Sequence, residues 1–270
     1  MPTVADIREK SGSEPITMLT AYDAPTAALV EEAGVDMILV GDSVGNTVLG
    51  YDSTVPVTVD DIRRHTGAVT RATDEILVIA DLPFLSYGVD EAESIRTAGM
   101  FLKEVDADAV KIESGEHTIE LTEQLTAIGI PVMAHLGLTP QHINQLGGFT
   151  RQGTSNAGAK RIRDLAKAHE AAGAFAVVLE HVPANVAGEI TEVLEIPTIG
   201  IGAGPETDGQ VLVIDDIFGL SAYSPPFSEQ FGDVRAEMRR AVEGFKTSVE
   251  SGSFPGDEHS YVEEDIDEIY

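Results

Sequence analysis

The chain has no cysteine, few lysines and no long apolar run, and each shortage removes a class of protein. Without a thiol there is no disulfide framework, no thiolate zinc site and no cysteine nucleophile. None of the apolar runs approaches the roughly 18 residues of a membrane span, and the opening MPTVADIREK lacks the apolar core of a secretion signal. A soluble, cytoplasmic chain with no membrane partner is expected. Bases are scarce: 17 Lys and Arg, six of them Lys, stand against 46 Asp and Glu, for a formal charge of −29. That sign repels phosphate backbones and anionic lipid, so nucleic acid is not an expected partner. Seven acids lie in the tail from Gly256 to Tyr270, and the rest of the chain is still strongly negative without them. A dispersed acidic, lysine-poor surface matches proteins of salt-accumulating halophiles, where concentrated ions screen self-repulsion.

What is present is length and alternation. The 270 residues suffice for one large α/β barrel or two small domains. Eight β-rich apolar runs recur at Ile16–Tyr22, Met37–Ser43, Ile76–Phe84, Ala109–Glu113, Pro131–Gly137, Ala174–Val182, Pro197–Gly204 and Gln210–Ile214. Helix signals separate most of them: Asp23 with Pro25 opens a helix that Gly34 closes, Thr58 with Asp61 forms a capping box, Ser155 starts a helix running to Gly173, and Pro183 starts one toward Leu194. Eight strands alternating with helices, several apolar on both faces, predict a single-domain (β/α)8 barrel over residues 1–270, with a doubly wound open sheet as the alternative. A short leading helix over about 2–12 is expected to cover the barrel floor. A long final helix is expected from Ser228 to Ser251, followed by an acidic tail over about 254–270.

In such barrels the chemistry sits where strands end and βα loops begin. Five consecutive runs end in ionisable groups: Asp42, Asp81, Lys111 with Glu113, His135, and Glu180 with His181. Lys111 and Glu113 lie two apart and so share a face directed into the barrel mouth. Asp42, Asp81 and Glu113 together offer hard oxygen ligands suited to Mg²⁺. Each residue also has a plainer reading, a strand-end Asp as a helix cap and Lys111 with Glu113 as a structural ion pair. Glu180 follows the apolar run Ala174–Leu179, where burial without a cation would raise its pKa and suit a general base. The run Ile199-Gly200-Ile201-Gly202-Ala203-Gly204 lies where many barrels bind phosphate, but no P-loop Lys follows it.

The strings Val40-Gly41-Asp42-Ser43-Val44-Gly45, Asp52-Ser53-Thr54-Val55-Pro56-Val57-Thr58, Ala80-Asp81-Leu82-Pro83-Phe84, Val110-Lys111-Ile112-Glu113, His135-Leu136-Gly137-Leu138-Thr139-Pro140 and Asp208-Gly209-Gln210, with Leu179-Glu180 and the glycine run, closely resemble the ketopantoate (3-methyl-2-oxobutanoate) hydroxymethyltransferase family from about Ala21 to Ser260. The resemblance implies a barrel of the phosphoenolpyruvate/pyruvate type. It also implies transfer of a hydroxymethyl group from 5,10-methylenetetrahydrofolate, or a related pterin, to C3 of 3-methyl-2-oxobutanoate, giving 2-dehydropantoate for pantothenate and coenzyme A synthesis. By the same resemblance Asp42, Asp81 and Glu113 would hold Mg²⁺, Asp42, Ser43, Asp81 and Lys111 would contact the keto acid and Glu180 would be the general base, while His135, read from its own place on the strand, is expected as a hydrogen-bonded residue behind them rather than a ligand. A homo-oligomer, often a decamer, is implied too. The departures are the acidic surface, the acidic tail and Ala134 where glycine is expected before the histidine. The rival enzyme reading is a Mg-dependent carbon–carbon lyase or mutase of the isocitrate lyase/phosphoenolpyruvate mutase group, whose lyases commonly carry a cysteine acid that this chain lacks. A non-catalytic binding barrel is the rival from another class, and it leaves the filled rim unexplained.

Overall fold

A computed structural model describes residues 2–221 and 225–263. Eight parallel strands close into a barrel in chain order: β1 (Ile16–Thr20), β2 (Met37–Val40), β3 (Leu77–Asp81), β4 (Ala109–Glu113), β5 (Val132–Gly137), β6 (Ala176–Glu180), β7 (Thr198–Ile201) and β8 (Gly209–Leu212). All eight fall within the runs expected from sequence, apart from Gly209 at the start of β8, and the doubly wound alternative is excluded by closure of β8 on β1. The helices are α1 (Val4–Glu9), α2 (Ala24–Glu32), α3 (Val44–Thr47), α4 (Val59–Thr70), α5 (Glu91–Val105), α6 (Ile119–Ala127), α7 (Ile143–Leu146), α8 (Asn156–Ala171), α9 (Ala184–Val193), α10 (Ile214–Phe218) and α11 (Val234–Glu250). Among the described residues no helix is long and apolar enough to cross a membrane.

Local chemistry sets the helix starts. Thr58 and Asp61 form the expected reciprocal box, the Asp61 amide donating to Thr58 Oγ1 at 3.2 Å and the Thr58 amide to Asp61 Oδ2 at 3.0 Å. Asp23 accepts from the Thr26 amide at 2.9 Å to open α2, and Ser155 accepts from the Gly158 amide at 3.2 Å to open α8. Residues 202–208 join β7 to β8 with no helix between them.

Two apolar layers result from the period of two along each strand. Met18, Met37, Leu39, Leu77, Ile79, Ala109, Met133, Ala176, Val178, Ile199 and Val211 fill the barrel interior. The alternate set on β5 and β6, Ala134, Leu136, Val177 and Leu179, packs in a second cluster with Ile162, Leu165 and Ala166 of α8 and Val186, Ala187 and Ile190 of α9. Ala134 thus fills a tight strand–helix contact. At the start of the strands, α1 packs by Ile7, which is buried in the interior cluster; Lys10 ion-pairs with Asp36, and the Gly12 amide donates to Asp208 Oδ1 at 2.8 Å.

The sequence reading drew one domain over 1–270, whereas contacts gather the chain into two compact units, Met1–Ile214 with Pro225–Ser228, and Asp215–Ser224 with Glu229–Tyr270. In the second unit the final helix begins at Val234 rather than at Ser228, because Asp233 is the cap, accepting from the Ala236 amide at 3.1 Å. None of the side chains of α11 is buried, and Gly252, at φ +72°, follows its end. The Phe254 ring lies 5.7 Å from Phe245 and 5.0 Å from His259. Residues 264–270 of the expected acidic tail lie outside the described residues.

Candidate active site

The alternation that fills the barrel interior carries charge once it reaches the rim. Continuing inward from Leu77 and Ile79 comes Asp81, from Ala109 come Lys111 and Glu113, from Met133 comes His135, and from Ala176 and Val178 comes Glu180. Strand register sets neighbours side by side, Asp81 with Lys111 and Glu113 with His135. Asp42 follows β2 by two residues and joins the group from a turn. Gly41 makes room there, since a side chain at that position would meet Ser43 Oγ at 2.9 Å and Asp81 Oδ2 at 3.3 Å.

Asp42, Asp81, Lys111, Glu113 and His135 are all buried, and Glu180 is 16% exposed at its side chain. Lys111 Nζ lies 2.5 Å from Asp81 Oδ1, so the ion pair drawn from sequence between Lys111 and Glu113 is instead made with Asp81, the residue in register on the next strand. Asp81 Oδ2 accepts from the Asp42 amide at 3.0 Å. On its other side Lys111 Nζ lies 3.5 Å from His135 Nδ1. An ammonium can only donate, so Nδ1 is the acceptor and the ring proton belongs on Nε2. That nitrogen stands 3.1 Å from Glu180 Oε2, close to it without the alignment of a hydrogen bond. Asp81, Lys111, His135 and Glu180 therefore form one continuous line across the mouth. Ser43 sits beside it as the cap residue of α3 without a side-chain cap bond, its Oγ 2.8 Å from Tyr22 Oη. Asp42 caps no helix.

Burial makes this cluster electrostatically demanding. Three carboxylates share one buried ammonium, and burial together with the charge of Asp81 pushes Asp42 up to about 6, with Lys111 and Gln141 opposing the rise. Burial also raises Glu113, against the pull of His142 and His135. For Lys111 burial favours the neutral amine, yet Asp81 and Asp42 more than reverse it and hold the ammonium charged. The group thus has the hard-oxygen donors and the surplus negative charge that suit a divalent cation such as Mg²⁺. Among the described residues no three acidic or imidazole side chains are grouped as a finished cage. Each carboxylate is instead turned to an internal donor, Asp42 Oδ2 to Gln141 Nε2 at 2.9 Å and Glu113 Oε2 to His142 Nδ1 at 3.0 Å.

Four residues of the site escaped the sequence reading: Tyr22, Tyr87, Gln141 and His142. Tyr87 comes from the loop after β3, while Gln141 and His142 lie on the single 3₁₀ turn Pro140–His142 after β5. The only signal for the last two was their place directly after the motif ending at Pro140. The glycine run has a conformational explanation: Gly202 and Gly204 take φ of +62° and +83°, and side chains there would strike Phe227 and Ala184 at 2.8 and 2.3 Å. Phe227 in turn lies 5.4 Å from the His181 ring.

The family model described as ketopantoate hydroxymethyltransferase matches residues 2–257. A 3-methyl-2-oxobutanoate hydroxymethyltransferase of Halobacterium salinarum is 66% identical, with both chains fully covered. One from Natronomonas pharaonis is 64% identical over 98% of each chain, and one from Geobacter metallireducens 50% identical over 96% of this chain and 98% of that one. Among solved structures, a phosphonopyruvate hydrolase in complex with oxalate and Mg⁺⁺ superposes with a TM-score of 0.63 at 15% identity, covering 96% of this chain and 93% of that one. A 2,3-dimethylmalate lyase described as a PEP mutase/isocitrate lyase superfamily member superposes with a TM-score of 0.58 at 16% identity, covering 97% and 93%. At those identities the likeness concerns the barrel alone.

Proposed function

Because the chain belongs to the ketopantoate hydroxymethyltransferase family, we propose that it moves a one-carbon unit from 5,10-methylenetetrahydrofolate, or a related pterin, to C3 of 3-methyl-2-oxobutanoate, yielding 2-dehydropantoate. The observation that carries the reading is the line from Asp81 through Lys111 and His135 to Glu180, which sets a carboxylate base across the mouth from a cluster built for charge.

Asp42, Asp81 and Glu113 would hold Mg²⁺, a role supported by their hard oxygens and by the single buried ammonium they share. When bound, the cation supplies Lewis-acid stabilisation of negative charge on the keto oxygen. Lys111 Nζ and the Ser43 hydroxyl face the carboxylate of the keto acid. Glu180 takes the C3 proton onto a carboxylate oxygen, with His135 Nε2 lying 3.1 Å from Oε2. The resulting carbanion, delocalised as the enolate, forms its new bond to the donor's methylene carbon. One of the two carbon–nitrogen bonds at that methylene breaks as the new bond forms, water then displaces the second nitrogen and supplies the hydroxyl, and the tetrahydropterin leaves with both nitrogens protonated.

Loss of the C3 proton signal of 3-methyl-2-oxobutanoate in D₂O and high salt tests this, first with Mg²⁺, then with EDTA, and again after methylenetetrahydrofolate is added. Exchange in Mg²⁺ that stops in EDTA and in Glu180→Gln is the expected result. Undiminished exchange in Glu180→Gln removes that residue from the base role, and absence of both exchange and 2-dehydropantoate with every component present refutes the reading.

A further inference from the structure

The carboxylates at the rim do not stand by themselves; one neutral residue reaches two of them, Asp42 through its side chain and Glu113 through its backbone amide. Gln141 is 4% exposed, and every polar atom of its side chain is used. Its Nε2 donates to Asp42 Oδ2 at 2.9 Å and to the Leu82 carbonyl at 3.0 Å, and its Oε1 accepts from Tyr87 Oη at 2.9 Å. Its backbone amide donates to Glu113 Oε1 at 2.9 Å. Tyr87 is tied in the same way, because its oxygen accepts from the Glu113 amide at 3.0 Å. That bond spends the tyrosine's acceptor side and leaves its proton for Gln141 Oε1, which fixes the amide orientation with Nε2 toward the two acceptors. A single residue from the β5 loop therefore connects the ends of β2, β3 and β4.

We propose that Gln141 is a positioning residue whose side chain, oriented by Tyr87, sets the direction in which Asp42 presents its carboxylate to the cation, while its backbone amide holds Glu113 beside it; this rests on the reading that those two residues hold the cation. A carboxylate oxygen has two lone-pair directions, so one bond to Gln141 fixes the group and leaves the other direction for a metal. Supporting hydrogen bonds of this kind typically govern affinity by about 10- to 100-fold. Charge makes a neutral amide the appropriate clasp. A lysine in its place would compete with the cation, and a carboxylate would add a fourth negative group to a site with one buried ammonium.

The test measures Mn²⁺ affinity by the EPR signal of the free ion in the full-length protein, with thermal unfolding recorded alongside. Gln141→Met is expected to weaken Mn²⁺ binding about 10- to 100-fold, and Tyr87→Phe to weaken it in the same direction by less. The double variant should bind no worse than Gln141→Met, since Tyr87 acts through Gln141. Asp42→Asn tests the underlying assignment. If Asp42→Asn weakens binding but Gln141→Met stays within twofold of the parent, the clasp is only structural and the proposal falls while the metal assignment stands. If Asp42→Asn also leaves Mn²⁺ binding unchanged, both fall. Should Gln141→Met not fold, Tyr87→Phe decides alone: unchanged Mn²⁺ affinity overturns the proposal and weakened affinity upholds it.

Discussion

The rim of the barrel has two unlike arcs. From β2 to β6 the strand ends carry Asp42, Asp81, Lys111, Glu113, His135 and Glu180, whereas β7 ends in the uncharged run from Gly200 to Gly204 and continues to β8 without a helix. The first arc is rich in polar bonds that cross from strand to strand. The second is built on backbone shape, with left-handed glycines closed against Phe227 and Ala184. Both follow from the same barrel geometry, yet they demand opposite things of the sequence. A charged arc needs partners for every buried polar atom, while a glycine arc needs the lack of a side chain. Substitution should therefore damage the charged arc in both rate and stability, and the glycine arc in stability alone.

The largest effect is expected in the charged arc at Glu180. Glu180→Gln keeps the shape and removes the proposed base, and should slow C3 exchange by about 10²- to 10⁴-fold while binding of the keto acid persists. Exchange by NMR and binding by calorimetry separate the two quantities. Next comes Lys111→Met, which leaves Asp81, Asp42 and Glu113 buried without their ammonium and should cost about 3–5 kcal/mol in urea unfolding. In the glycine arc, Gly204→Ala forces a side chain into φ +83° and against Ala184, and a loss of about 1–3 kcal/mol with C3 exchange retained is expected. Loss of exchange without loss of stability would break the division between the arcs.

The smallest effect concerns protons. In EDTA the folded protein holds the Asp42 proton up to about pH 6, against an ordinary value of 3.8. The folded state thus binds more protons than the unfolded chain between those values, so stability falls as pH rises through that window and returns on acidification. Asp42→Asn has no such proton and should flatten this part of the profile, by a few degrees at the unfolding midpoint between pH 4.5 and 6.5. Identical profiles for parent and variant would show that other groups set the acid dependence.

Sequence and structure agree most closely where chemistry obeys a period. Inward alternation places Lys111 beside Glu113 in the mouth, and capping residues such as Asp23 and Thr58 mark helix starts within a residue. The start of α11 was harder to read, since Gly232 and Asp233 interrupt an otherwise helical stretch from Ser228. Pairing across strands is less visible than facing within one. Lys111 shares a face with Glu113 but bonds Asp81, because register between β3 and β4 is not written in either strand alone. Tyr87 and Gln141 were invisible for a further reason. They are neutral, lie in loops without periodicity, and matter only through partners up to 99 residues away.

The helix beneath the floor gives the molecule a sense of direction. With Ile7 seated among the interior side chains and the chain tied down at Lys10 and Gly12, the start of the strand bundle is covered. The charged residues from Asp42 to Glu180 stand at the opposite end of the strands from that helix. A short helix at one end of the strands thus shapes the surroundings of a rim to which it supplies no residue.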